Sequence, residues 1–449
     1  MSRKEEYIKL FIDKLPKRLE KGKLEKIIST LDEFHPADIA EVLRQTSTDS
    51  AISIIRLLGE DVRADVVAEL EPEERETILK ELPATEIAES VLKEMDSDDA
   101  ADLISELPED KKTSVIEAIE DTEQVQDILD LLTYDENTAG SLMAKELIKV
   151  KENWTVKQCE YELRKQAQEV EDVHTVYVVD NLDKLVGVLS LKALIINDEN
   201  VEIKAISNKD IISIKATDES KEASRLMDKY DLVVLPVINE SKQLVGRITI
   251  DDVVDVIVEE AEKDYQMLSG ISEDVESSDN VWQLTRARFP WLLVGMLGGI
   301  FGAMVIGFFE NGVNPALMAF IPLIVAMGGN VGIQSSALVV QGLANQTLSG
   351  SITSKLFKEL GVGIVNGILC AFLLLLVNIL IGHETLSYSF AISASLLSVI
   401  VFAAVFGTWI PLFFHRLRID PALATGPFIT TANDIFGLIL YFYICKLLI

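Results

Sequence analysis

Positive charge is scarce in most of this chain. Its 449 residues include 41 lysines and arginines against 72 acids, for a net charge of −31. The deficit is local. From Arg286 to the end there are seven basic residues (Arg286, Arg288, Lys355, Lys358, Arg416, Arg418, Lys446) against five acidic ones (Glu310, Glu359, Glu384, Asp420, Asp434), a surplus of two, so the first 285 residues hold −33. A field of that sign repels nucleic acid and anionic membrane surfaces and attracts cations. Solubility explains part of it. Cysteine is scarce as well: Cys159, Cys370 and Cys445 lie far apart, with neither a zinc spacing nor a disulfide framework, which fits a reducing cytosol. The opening Met1-Ser2-Arg3-Lys4-Glu5-Glu6 lacks the apolar core of a signal peptide, so the acidic part is expected to stay on the side where it is made. No Walker-type phosphate loop and no catalytic acid–base pair stands out, so an enzyme is not expected.

Charge is also nearly missing from five long runs, roughly Phe289–Phe309, Pro315–Leu343, Leu360–Ile381, Phe390–Phe414 and Pro421–Cys445, Asp434 in the last being the one exception. Each is long enough to cross about 30 Å of hydrocarbon at about 1.5 Å per residue. With the first 285 residues in the cytosol, Arg286/Arg288, Lys355/Lys358 and Arg416/Arg418 fall inside, while Glu310, Glu384 and Lys446 fall outside. Six of the seven basic residues thus obey the positive-inside rule, Lys446 alone lying outside, which predicts a multi-pass protein of the inner (plasma) membrane, N-terminal domains cytoplasmic and C-terminus outside. His383 and His415 sit at span ends and are expected to carry no chemistry.

The acidic part divides further. Over 1–133, short amphipathic runs recur: His35-Pro36-Ala37-Asp38-Ile39-Ala40, Leu82-Pro83-Ala84-Thr85-Glu86-Ile87-Ala88 and Ser97-Asp98-Asp99-Ala100-Ala101-Asp102-Leu103. Acidic or proline starts followed by apolar residues at helical spacing mark helix N-termini, and their repetition predicts a small helical superhelix for docking or sensing. Over 134–256 a tandem repeat follows. Tyr177-Val178-Val179-Asp180 with Leu185-Val186-Gly187-Val188-Leu189-Ser190 returns as Pro236-Val237-Ile238-Asn239 with Leu244-Val245-Gly246-Arg247-Ile248-Thr249. Each half reads as strand, turn, strand, then a helix from Leu191 or Asp251. This resembles a pair of cystathionine-β-synthase (CBS) domains. In that family Gly-x-x-Thr/Ser-x-x-Asp contacts an adenine nucleotide. Gly246, Thr249 and Asp252 fit the pattern, while the first half has Gly187 and Ser190 but Ala193 in place of the acid. One ATP-type site per chain is therefore a candidate, the alternative being that Asp252 is only a helix-start acid.

The helix from Asp251 to about Asp264 carries Asp251, Asp252, Asp255, Glu259, Glu260, Glu262 and Asp264 against Lys263. Like charges at helical spacing repel. A divalent cation held against the facing acids Asp96, Asp98, Asp99 and Asp102 would relieve that, so both sets are candidate sensing ligands; a merely solvated acidic face is the alternative.

In the membrane part, Asp434 stands in the last apolar run with no basic residue beside it in that run. A charge at bilayer depth costs about 2.5 kcal/mol or more unless it faces protein or water. Thr430-Thr431-Ala432-Asn433 adds the hard oxygens that suit a cation; a protonated, hydrogen-bonded Asp is the alternative. In the second run, Gly328-Gly329-Asn330-Val331-Gly332-Ile333-Gln334 reads as pore lining with Asn330 and Gln334 facing water, or else as close helix packing. Pro411 is expected to kink the fourth run.

Taken together the chain is similar, end to end, to the bacterial MgtE family of magnesium channels and transporters. The likeness rests on Tyr134-Asp135-Glu136-Asn137-Thr138-Ala139-Gly140 with Leu142-Met143, on Phe289-Pro290-Trp291-Leu292, on Gly328-Gly329-Asn330-x-Gly332-x-Gln334, and on Asp420-Pro421-Ala422 with Thr430-Thr431-x-x-Asp434. It implies a multidomain α plus α/β chain: helical N-terminal domain (1–133), tandem CBS pair (134–256), long connecting "plug" helix (257–285) and five-helix transmembrane pore (286–449). It also implies a homodimer in the lipid bilayer, with Mg2+ as substrate and regulator. Asp434, Asn330 and Thr430 would serve the pore; Asp96, Asp99, Asp102, Asp252, Asp255, Glu259, Glu260 and Asp264 would report internal Mg2+ and close it. Ile333 and Gly426 depart from some members that have Asn there. A proton- or sodium-coupled exporter, and a metal or nucleotide receptor that moves no ion, are the competing readings.

Overall fold

A computed structural model describes residues 8–15, 24–31, 33–168, 170, 173–273, 275, 279–310, 314–344, 351–381, 385–424 and 426–449. His383, Glu384 and the opening hexapeptide lie outside the described residues. The chain forms two compact units, Met1–Ile257 and Val258–Ile449.

The first unit opens with short α-helices, from Leu24–Leu31 to Thr122–Leu131. Proline or acidic starts set their ends, as at Pro36, Pro72, Pro83 and Asp96; His35 and Asp38 form a reciprocal capping box. Helices this short are marginal alone and depend on burial. Ile39, Val42, Ile54, Val66, Leu79, Ile87, Leu103 and Ile104 supply it. Arg44–Glu74 (3.1 Å), Arg56–Glu86 (2.7 Å) and Arg75–Glu106 (3.1 Å) tie helices that are not neighbours in the chain. The superhelix expected from the recurring starts is the one observed.

Two three-stranded sheets follow: β1 (Lys149–Lys151), β2 (Val176–Val179) and β3 (Leu185–Leu189), then β4 (Ile214–Lys215), β5 (Val234–Ile238) and β6 (Leu244–Thr249). In each, the first strand runs parallel and the third antiparallel to the second. The hairpins are copies. Asp180 accepts from the amides of Leu182 and Lys184, and Asn239 from those of Ser241 and Gln243. Asp183 and Lys242 take the same positive φ, 59° and 63°. Leu185 N–H donates to the carbonyl of Lys242 and Leu244 N–H to that of Asp183, a pseudo-two-fold pairing that joins the repeats.

The acidic helix is longer than expected, Ile250–Leu268. It does not continue as one connecting helix over 257–285. Ile271 N–H bonds the carbonyl of Gln266 and Gly270 N–H that of Met267, with Gly270 at φ 80°, a Schellman stop that needs glycine. A new helix begins at Val281 and runs through Pro290 to Glu310, so the first span helix starts earlier than Phe289.

Among the described residues of this second unit, five helices are long and apolar enough to cross a membrane: Val281–Phe309, Pro315–Ala344, Ile352–Leu380, Leu386–Arg416 and Pro427–Leu448. The fifth begins at Pro427, not Pro421, because Gly426 breaks the chain at φ 54° after a 3-10 turn, Pro421–Ala424. The glycine-rich stretch serves packing. Gly328, Gly329 and Gly332 are buried, and the Asn433 amide donates to the Gly328 carbonyl at 3.2 Å. A Cβ on Gly332 would overlap the Asn433 side chain, and one on Gly407 would stand 2.5 Å from the Gly332 carbonyl. The second and fourth helices therefore meet backbone to backbone, and the fifth packs its Asn433 side chain against the second. Asn330 and Gln334 are exposed.

Gly332→Ala should cost about 1–3 kcal/mol through overpacking. Gly299→Ala, where no atom lies within 4 Å, should be neutral within about 1 kcal/mol. Melting of the two variants in one detergent checks this; equal midpoints would contradict the packing assignment.

Candidate ion sites

The fifth helix places Thr430 and Thr431 just after its Gly426-Pro427 start and Asp434 about one turn further on. They line a cavity of about 810 Å3, together with Leu268, Gly270, Arg288, Trp291 and Ile333. At about 30 Å3 of liquid per water that is room for on the order of 25 waters, so an ion could enter with its hydration shell. Asp434 Oδ1 and Trp291 Nε1 are both buried without a hydrogen-bond partner among the described residues. Thr430 Oγ1 donates back to the Gly426 carbonyl at 2.7 Å, which leaves its lone pairs for a cation. Gly329 brings the second helix over the acid: a Cβ there would lie 3.9 Å from Asp434 Oδ1. Asn330 is not part of this lining; the apolar Ile333 is. Arg288, from the first helix, brings to the cavity a positive charge that the last apolar run itself lacks.

A second cluster lies wholly in the first unit. Asp96 precedes helix Ser97–Glu106, whose first turn holds Asp98 and Asp99. Carboxylate oxygens of Asp96, Asp98 and Glu146 lie within 4.8 Å of one another. Ser97 orients Glu146, donating from its amide at 3.2 Å and its hydroxyl at 2.8 Å. Thr249 orients Asp252 likewise, at 2.8 and 2.6 Å. Burial, then the charge of Asp252, pushes Asp98 well above the usual carboxylate range. The same two causes push Asp99 up to about 7. Burial, which outweighs the Thr249 hydrogen bonds, lifts Asp252 to about 6. Such mutual repulsion among oxygen ligands is what a hard divalent cation relieves.

Not all the expected sensing residues gather here. Asp102 acts on Asp99 from the same helix. Asp255 is raised by burial and then by Asp251 and Glu71. Glu259, Glu260 and Asp264 belong to the second unit. Glu146 is not legible as a ligand from sequence: it is an isolated acid between Lys145 and Leu147, and only the fold brings it to Asp96. The nucleotide pattern acquires local roles. A Cβ on Gly246 would stand 2.7 Å from Met143 Sδ, and Thr249 and Asp252 bond each other.

Residues 321–444 match the family described as "Divalent cation transporter", residues 34–137 the "MgtE intracellular N domain", and residues 139–198 and 203–259 the "CBS domain". The chain is 31% identical over 427 residues to magnesium transporter MgtE of Bacillus subtilis, covering 94% of each. To that of Thermus thermophilus it is 32% identical over 441 residues, 97% of this chain and 98% of the other. Among solved structures, the cytosolic domain of the Mg2+ channel MgtE in complex with ATP is 33% identical with a TM-score of 0.51, covering 55% of this chain and 99% of that one.

Raised acids in the folded first unit hold protons that the unfolded chain releases near its ordinary 3.8. In chelator, stability should therefore fall as pH rises from about 4 through about 7. Melting at pH 5 and pH 8 checks the sign. Asp98→Asn should flatten the dependence and Mg2+ at pH 8 should restore the loss; a pH-independent midpoint would contradict the cluster's electrostatics.

Proposed function

Because this chain belongs to the MgtE family of magnesium transporters, we propose that it is a Mg2+-selective, Mg2+-gated channel that takes up magnesium down the membrane potential. Membership sets it among transporters, not enzymes. The observation that carries the reading is Asp434, which lines a cavity roomy enough for water beside apolar helices while its Oδ1 is buried without a partner among the described residues. Mg2+ dehydrates reluctantly and suits one or two carboxylates with retained waters. In a homodimer, two copies of Asp434 would set −2 against +2. A divalent ion entering a negative interior gains about 4.6 kcal/mol per 100 mV, so no pump is needed. Asn330 lies on the exposed side of the second helix and would meet the ion only where two protomers face each other.

Regulation follows from the carboxylates. Mg2+ held by Asp96, Asp98, Asp99, Glu146 and Asp252 stabilises whichever gate state brings them closest, and can bias gating only through that difference in affinity. One continuous helix, Ile250–Leu268, carries Asp252, Asp255, Glu259, Glu260 and Asp264, and its last residue, Leu268, lines the Asp434 cavity. An adenine nucleotide at the CBS pair, through Gly246, Thr249 and Asp252, is the reading supported by the ATP complex of the related cytosolic domain. The protein lies in the plasma membrane with its N-terminal part cytosolic and C-terminus outside, as the basic flanks of the spans support.

Arg288 in the Asp434 cavity favours a second reading, since a buried acid with a basic neighbour is what a proton- or sodium-coupled exporter needs.

Asp434→Ala should abolish Mg2+ uptake into cells that depend on this protein, at unchanged expression; normal uptake removes the site assignment. Neutralising Asp252, Asp255 and Glu260 together should leave flux on at high internal Mg2+. Inhibition at the wild-type concentration would reduce these acids to a solvated face.

A further inference from the structure

Strand β6 buries an arginine where the matching strand of the other repeat has a valine. Arg247 and Val188 occupy equivalent places in the two Leu-Val-Gly motifs, yet the Arg247 side chain is only 8% exposed. Burying a guanidinium is costly unless its charge and donors are answered. Here its Nε–H donates to the Glu146 carbonyl at 2.5 Å, and Nη2 lies 3.6 Å from the Asp96 carboxylate. Both residues belong to the group whose carboxylate oxygens, with those of Asp98, come within 4.8 Å of one another. The arginine is thus anchored to the backbone of one acid and charged against the side chain of another.

We propose that Arg247 is a built-in counter-ion that sets the concentration at which this cluster takes a divalent cation. The proposal rests on the reading of the cluster as a regulatory Mg2+ site. An incoming ion must share Asp96 with a guanidinium that cannot lose its proton. The two positive charges repel at short range, in a site that screens them less than bulk water does. The anchor at the Glu146 carbonyl keeps the guanidinium nearby when its contact with Asp96 gives way, so the penalty is permanent. A cluster without it would fill at lower Mg2+ and signal sufficiency too early. The competing role is purely mechanical: a pin between β6 and the Glu146 segment, where Ala144 and Arg247 also exchange backbone hydrogen bonds.

The test is calorimetric titration of Mg2+ into the purified full chain carrying Asp434→Ala, which silences the membrane site. Arg247→Gln should tighten binding by about tenfold, whereas Arg247→Lys, which keeps the charge, should stay within about twofold of the parent. In an Asp96→Asn background the gain from Arg247→Gln should shrink, because the two charges are coupled. Arg247→Met keeps the apolar stem and repeats the measurement if the glutamine variant does not fold. Unchanged or weaker binding in the folded charge-removing variants overturns the counter-ion and leaves the pin. A parent with no saturable Mg2+ binding removes the regulatory site itself, a different failure from the first.

Discussion

Burying carboxylates is expensive, and the architecture turns on two places where this is done with few answering charges, Arg288 lining the one and Arg247 the other. In the membrane unit the acid is Asp434, whose Oδ1 no protein donor reaches among the described residues. In the first unit the acids are several and press on one another, so that Asp98, Asp99 and Asp252 hold their protons beyond the usual range. Both arrangements are unfavourable as bare protein and of the kind that a divalent cation relieves. A chain built this way stores affinity in its own electrostatic discomfort.

The rest of the fold serves to hold those acids where they are. Glycines in the second and fourth helices let three backbones approach around Asn433, the residue beside Asp434, so the carboxylate sits on a rigid seam. The Schellman stop at Gly270 and the break at Gly426 bring the end of one helix and the start of another to the same cavity wall. Ser97 and Thr249 do the corresponding work in the first unit, each aiming one carboxylate through two hydrogen bonds.

Features set by local pattern are legible in the sequence. The five apolar helices, the short helices with proline or acidic starts, and the paired hairpins follow from period and composition, because burial demands them. β1 and β4 are not legible: strands of three and two residues carry no period. Charge pattern alone makes the acidic helix too short and the connection after it too continuous, since it gives no weight to the stop at Gly270. Polarity favours pore lining for the Gly328–Gln334 stretch, but its glycines pack. Glu146, Arg247 and Arg288 matter only through tertiary proximity. An acid between Lys145 and Leu147 looks like any surface acid until the fold sets it beside Asp96.

The central claim is that the membrane unit conducts Mg2+ passively. Flux into proteoliposomes of the wild-type chain under an imposed, inside-negative potential, with no proton or sodium gradient, tests it most directly. The account predicts Mg2+ entry that grows with the potential and stops when the potential is collapsed. Flux that is indifferent to potential and appears only against an H+ or Na+ gradient would contradict it, and would give Asp434 and Arg288 to a coupled exporter.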